Sequence, residues 1–140
     1  MSDNRTVLEQ YGQAMSASDT EAQDRLLTDD FVEEYPQSGE IIRGKANRRA
    51  IIENYPGGTP RDATAQNQRP PQPQITGSGD NFTAVSQITY PNGETWQYVG
   101  LFQFRGGKIA RITSYFAAPF EAPAWRAPYV EKAPAEARSR

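Results

Sequence analysis

Two short glycine turns divide residues 82–116 into three runs of strand-forming residues. Val85-Ser86-Gln87-Ile88-Thr89-Tyr90 is rich in β-branched and aromatic residues and ends at Pro91-Asn92-Gly93, a strong hairpin signal. Residues 94–104 form the longest run, and Gly106-Gly107 turns it into residues 108–116. Strands joined by such tight turns lie antiparallel and adjacent. One face of such a sheet packs on a core, so the rest of the chain must supply a cover.

That cover is legible in the first third of the chain. Val7, Leu8, Tyr11, Ala14 and Met15 recur at helical spacing and predict one apolar face of a helix of about 14 residues. Ser18-Asp19-Thr20-Glu21 has the form of a capping box and predicts a second helix through Ala22, Leu26 and Leu27, ended by Thr28-Asp29-Asp30. Residues 31–35 read as a short strand stopped at Pro36, with residues 40–43 as its hairpin partner. Gly44 opens a third helix through Ala46, Ala50, Ile51 and Tyr55, which Pro56-Gly57-Gly58 stops. Residues 56–74 hold five prolines, which no central strand tolerates. We read 61–68 as a strand and 69–74 as an irregular stretch at a sheet edge.

Helices at one end of the chain and strands at the other predict an α+β fold. The expected form is a cone: a curved antiparallel or mixed sheet, three N-terminal helices over its concave face, and a pocket between them. Residues 1–118 form this single domain. Residues 119–140 are a Pro/Ala-rich tail that carries Phe120, Trp125 and Tyr129. These aromatics suit a strap across the chain's own sheet, a reach to a partner subunit, or a lid.

Composition narrows the chemistry. The chain of 140 residues has no cysteine and no histidine. Thiolate nucleophiles, disulfides and the usual metal ligands are therefore excluded, and no metal or cofactor is expected. Acid–base work falls to carboxylates and tyrosines. The net charge of −2 argues against nucleic acid as partner. Residues 1–40 carry ten acids and two bases, and residues 41–69 carry six bases and two acids, which reads as complementary solvated surfaces. No apolar run approaches the ~20 residues of a membrane span. With the polar start Met1-Ser2-Asp3-Asn4, the expectation is a cytoplasmic protein with no membrane partner.

Three sets of residues resemble one known family: Leu26-Leu27-Thr28-Asp29-Asp30-Phe31-Val32; the spacing Pro36, Gly39, Gly44; and Gly106-Gly107-Lys108-Ile109-Ala110-Arg111-Ile112 leading to Tyr115-Phe116. Over residues 5–118 the chain resembles the SnoaL-like branch of the nuclear-transport-factor-2-like superfamily. The resemblance implies a cone-shaped fold, a small-molecule pocket, and a dimer through the outer sheet face. The superfamily holds ketosteroid isomerases, epoxide hydrolases, polyketide cyclases, dehydratases and non-catalytic binding modules, so it leaves function open. By position, Tyr11 stands eight residues before Asp19, as the oxyanion-donating tyrosine of the isomerases does. The isomerase general-base aspartate, which precedes a proline, is replaced by Tyr35 before Pro36. The second isomerase donor, two residues before Phe102-Gln103-Phe104, is replaced by Gly100. The last-strand acid of the cyclases has no counterpart in Ile112-Thr113-Ser114-Tyr115-Phe116, and the Arg-Asp-Asp set of the limonene epoxide hydrolases finds no match.

Strand alternation predicts the lining of the cone. Phe31, Glu33 and Tyr35 share one face. Trp96, Tyr98, Gly100, Phe102 and Phe104 share another, and Ala110, Ile112, Ser114 and Phe116 a third. Gly100 leaves room in the cone. The candidate catalytic residues are Glu33, Tyr11 and Tyr35, with Glu33 as acid–base group and Tyr11, Tyr35 or Tyr98 as donors to an oxygen that gains charge. The candidate ligand-binding residues are Trp96, Tyr98, Gly100, Phe102, Ser114 and Phe116. Arg48 and Arg49 read as a solvated helix face, with an acidic substrate as the other use of one of them. An aromatic, hydroxyl-lined cavity suits a small apolar oxygenated ligand. Two functions fit: isomerisation, cyclisation, dehydration or hydrolysis of such a ligand, or binding without turnover. A third, structural role requires a cone filled by Trp96, Tyr98, Phe102 and Phe104. Val99 and Leu101, between Gln97 and Gln103, suit a homodimer through the outer face.

Overall fold

The glycine turns give the predicted meander. The computed structural model describes residues 3–56 and 73–133. In chain order these form α1 (Asn4–Ser16), α2 (Thr20–Arg25), β1 (Leu27–Tyr35), β2 (Glu40–Arg43), α3 (Gly44–Glu53), β3 (Gln74–Ser78), β4 (Asn81–Thr89), β5 (Thr95–Arg105), β6 (Lys108–Ala117) and a short 3-10 helix (Ala124–Tyr129). The six strands make one sheet in the order β2-β1-β6-β5-β4-β3. All neighbours are antiparallel except β1 and β6, which run parallel, so the sheet is mixed. The expected strand at 61–68, and residues 69–72 of the expected irregular stretch, lie outside the described residues. Gln74, expected in that irregular stretch, instead begins β3 and pairs with Val85. Among the described residues, no helix is long and apolar enough to cross a membrane.

Helix boundaries follow local chemistry more closely than apolar spacing. The side chain of Asp3 caps α1 at the Thr6 amide. The cap of α2 is Asp19, which accepts from the Ala22 amide at 3.0 Å, and not Ser18, whose φ of +51° precedes the helix. The second helix stops at Arg25. Leu26 and Leu27 do not continue it, because Leu27 already pairs with Ile109 in the parallel ladder. Gly44 opens α3 with φ +83°, a conformation that glycine adopts without strain.

The core lies between α1 and the inner sheet face. Val7, Leu8 and Tyr11 of α1 pack with Leu27 and Phe31 of β1, Phe82 and Ala84 of β4, Phe102 and Phe104 of β5, and Ile109 and Ile112 of β6. Phe31 is fully buried, so its truncation to alanine should cost about 3–5 kcal/mol. The alternation predicted for β5 holds from Gly100 onward: Gly100, Phe102 and Phe104 are buried while Leu101 and Gln103 are exposed; before it, Trp96, Tyr98 and Val99 are all half-buried. In β6 it breaks once. A bulge pairs Gln103 with Arg111 but Phe104 with Ile109, leaving Ala110 as the extra residue. Ile109, not Ala110, therefore enters the core.

Candidate functional site

Three strands and two helices bring the polar groups of the cavity together. Glu33 stands on β1 between two inward aromatic residues, Phe31 and Tyr35, and is 8% exposed. Its Oε2 accepts a hydrogen bond from the Ser114 hydroxyl of β6 at 2.7 Å. Ser114 is itself fully buried, and its Oγ lies 2.9 Å from the Tyr98 hydroxyl. A serine has one hydroxyl proton, which here is committed to Glu33. Tyr98 must therefore donate to Ser114. The result is a directed chain, Tyr98 to Ser114 to Glu33, that ends on a carboxylate oxygen.

Burial raises the carboxyl of Glu33 above the usual glutamate range; the Ser114 hydrogen bond and the Arg48 charge pull it back in part. The other carboxylate oxygen, Oε1, has no hydrogen-bond partner among the described residues. Glu33 is thus a carboxylate with one oxygen held and one available, in the wall of a cavity.

Arg48 lies elsewhere than the solvated face expected of it. It is 4% exposed and points into the fold from α3. Its guanidinium donates to Gln23 Oε1 at 2.7 Å, to the Tyr11 hydroxyl at 2.6 Å and to Met15 Sδ at 2.9 Å. All three partners are neutral. Arg49 behaves differently and pairs with Asp24 at 2.5 Å. Lys45 pairs with Asp29 at 3.4 Å. The basic α3 thus faces the acidic stretch before it, as the charge segregation implied, but Arg48 lies inside rather than on a solvated face. A signal for this existed. Arg48, Ile52 and Tyr55 follow at spacings of four and three, and all three line the cavity, while Ala46 and Ala50 are exposed.

Tyr11 accepts the Arg48 hydrogen bond on its oxygen and keeps its own O–H to donate. Burial pushes this phenol up to about 12, against the opposing pull of Arg48. Tyr35 lies in the same wall, edge-on to Phe116 at 5.3 Å, and its hydroxyl has no hydrogen-bond partner among the described residues. Burial also raises the Tyr35 phenol, so it holds its proton at neutral pH.

Gly100 serves a different end from the one expected. A Cβ there would lie 2.4 Å from the Tyr98 hydroxyl and 2.7 Å from the Phe102 ring. The space above Gly100 is therefore not open. It is where Tyr98 folds over to reach Ser114, the β6 partner of Gly100. Phe102 meets Tyr11 edge-on at 6.1 Å, and Phe116 lies 5.2 Å from Tyr98. Trp96 stands further along the cavity, edge-on to Tyr90 at 5.4 Å. Tyr55 donates to the Tyr90 hydroxyl at 3.1 Å and completes this aromatic end. Sequence reasoning did not count Tyr55 and Tyr90 among the site residues: Tyr55 continues the Arg48–Ile52 spacing just past the end of α3, and Tyr90 follows the last residue of β4.

The described residues leave a cavity of about 1360 Å³ between helices and sheet, lined among others by Glu33, Arg48, Tyr11, Tyr55, Tyr90 and Trp96. Trp96, Tyr98, Phe102 and Phe104 do not fill the cone. The order of elements and the mixed curved sheet match the fold that the resemblance implies. A family model for the SnoaL-like domain matches residues 8–112. The chain belongs to the SnoaL-like family.

Solved structures place this SnoaL-like chain further. An NTF-2 like protein of unknown function from Burkholderia xenovorans LB400 is 33% identical, covering 94% of this chain and 95% of that one with a TM-score of 0.71. A protein of Kribbella flavida DSM 17836, provisionally named a ketosteroid isomerase, is 24% identical over 95% and 91% of the two chains, with a TM-score of 0.74. One from Xanthomonas campestris pv. campestris, provisionally named a polyketide cyclase, is 20% identical over 80% and 88%, with a TM-score of 0.59. These last two share the fold. No curated protein matches the chain.

Proposed function

We propose that this SnoaL-like protein moves a proton on a small apolar substrate bearing a carbonyl, with Glu33 as the base. The observation that carries the reading is the Glu33 carboxylate: desolvated, held at Oε2 by Ser114, and bare at Oε1 in the cavity wall. Oε1 takes a proton from the carbon next to the carbonyl. The C–H electron pair moves toward the carbonyl oxygen, which gains the charge. Tyr11 donates its O–H to that oxygen, and the Arg48 cation behind Tyr11 favours the negative charge. Glu33 then returns the proton to a different carbon, which isomerises the substrate, or the enolate carbon attacks a second carbonyl, which closes a ring, and the proton on Glu33 passes to the alkoxide oxygen so formed. Tyr35 is the second donor available to the substrate, whereas Tyr98 spends its proton on Ser114. The aromatic end, Tyr55, Tyr90 and Trp96, takes the apolar body of the substrate.

The test is carbon-bound hydrogen exchange. A panel of cyclic enones and 1,3-diketones is incubated in D₂O, and loss of the proton signal is followed by NMR. The expected result is accelerated exchange that falls about 10²–10⁴-fold in Glu33→Gln. Equal rates in enzyme and variant would remove Glu33 from the role.

A second reading, ligand binding without turnover, is favoured by one observation. The two positions at which the isomerases carry acids hold Tyr35 and Gly100. It predicts ligand-induced NMR shifts at Tyr11 and Trp96 with no exchange at any carbon.

A further inference from the structure

Two adjacent arginines of α3 meet two adjacent residues of α2, and the pairing is the reverse of what burial asks for. Arg49, half-buried, meets the Asp24 carboxylate at 2.5 Å. Arg48, buried, meets the neutral Gln23 side chain at 2.7 Å. Among the described residues no carboxylate lies within ion-pair distance of Arg48. A charge in the interior is ordinarily paired, because losing its water costs it far more than a surface charge loses. Four cations nearer the surface do have an acid each: Arg5 with Glu9, Lys45 with Asp29, Arg105 with Asp30 and Arg111 with Glu34.

The acid of the cavity does not fill the gap. Glu33 feels the Arg48 charge but takes its hydrogen bond from Ser114. The guanidinium is meanwhile fixed in place. Nη1 donates to Gln23, Nη2 donates to Tyr11 and Met15, and the Tyr11 ring lies 5.3 Å from its centre. Gln23 is anchored in turn, its buried amide donating to the Ala14 carbonyl at 3.1 Å. These three bonds leave the Nε–H and one Nη1–H uncommitted. Trp96 Nε1 is sealed away without a partner, whereas Arg48 Nε, also without one among the described residues, is not sealed. Arg48 lines the cavity, so this donor is left for an occupant.

We infer that the ligand of this cavity carries a carboxylate that pairs with Arg48 at Nε, while its apolar body lies against the aromatic residues. The substrate class is then an apolar carbonyl compound that is also an acid. This rests on the reading of the cavity as the substrate site. One cation with two uncommitted N–H groups suits a monoanion; a phosphate dianion would call for more donors than are free here. The guanidinium is already oriented, so pairing costs little ordering. A neutral ligand would leave the buried charge as it found it.

The experiment compares matched acid and amide pairs that share one apolar body: cyclohexyl-, naphthyl- and adamantyl-acetate against the corresponding acetamides. Kd is measured on the full chain at neutral pH by isothermal titration calorimetry. For the bodies that fit, the acid should bind about 10–100-fold more tightly than its amide, the range of one hydrogen bond to a charged group. The Arg48 Nε–H resonance, assigned by its loss in Arg48→Lys, should move downfield with the acid and not with the amide. In Arg48→Gln the acid should lose this advantage. The comparison within wild type stands whether or not that variant folds. Equal Kd values for acid and amide, no acid of the panel binding, a Nε–H resonance that the acid leaves unmoved, or an acid preference that survives in folded Arg48→Gln would each overturn the inference. Binding is read here without turnover. Carbon-bound exchange without acid preference would overturn this inference alone, and acid preference without exchange would overturn the proton chemistry alone.

Discussion

Ser114 Oγ donates to Glu33 Oε2 at 2.7 Å, across the parallel β1–β6 pair. The contact joins the two strands furthest apart in sequence that pair in this fold. It gives a buried carboxylate one neutral partner in place of a cation, so its proton affinity stays high and adjustable.

The first prediction concerns stability against pH. The folded Glu33 carboxyl lies above its unfolded value, so the native state binds more protons than the unfolded state between the two. The stability contributed by this group is therefore greatest below the ordinary glutamate value of about 4.3 and declines as pH rises toward the folded value. Glu33→Gln removes that decline. Urea unfolding at a series of pH values should show the variant gaining on wild type from about pH 4 upward. A constant difference at all pH values would contradict it.

The second concerns Arg48. Arg48→Met keeps much of the volume but strips the donor from Gln23 Oε1 and the Tyr11 hydroxyl. Leaving buried groups unpaired costs about 1–3 kcal/mol each, so the variant should unfold at lower urea. It also loses the charge that holds Glu33 and Tyr11 down. Both groups should then titrate higher than in wild type, by carboxyl NMR and by phenolate absorbance.

The third concerns Gly100. Gly100→Ala drives a Cβ into the Tyr98 hydroxyl and the Phe102 ring, at a cost of about 1–3 kcal/mol. Tyr98→Phe removes the oxygen at 2.4 Å, the nearer of the two obstacles. The double variant should therefore be less destabilised than the two single variants added together. Additive losses in thermal unfolding would mean that Tyr98 does not occupy the space above Gly100.

Much of this site was written in strand alternation. The period of two put Glu33, Tyr98, Gly100 and Ser114 on inner faces, because the irregularity of β1 falls before Val32, β5 alternates from Gly100 to Phe104, and the β6 bulge falls before Ile112. That parity could not say that Ser114 meets Glu33, since β1–β6 pairing joins segments 81 residues apart. Ala110 was misplaced by the bulge, which leaves no mark in a local pattern. Arg48 was misplaced because a cation on a helix is ordinarily solvated, and only a cavity with neutral acceptors makes its burial legible. Gly100 looked like empty space because a sequence does not show which neighbour folds over a glycine.

The central claim is that Glu33 carries the proton chemistry of the cavity, and its carboxyl titration tests this most directly. The ¹³C resonance of the Glu33 carboxyl, assigned by its loss in Glu33→Gln, is followed against pH in wild type and in Ser114→Ala. The account predicts a midpoint above those of the exposed glutamates, moved higher still when Ser114 no longer donates. A Glu33 that titrates with the exposed glutamates, and does not respond to Ser114→Ala, would contradict it.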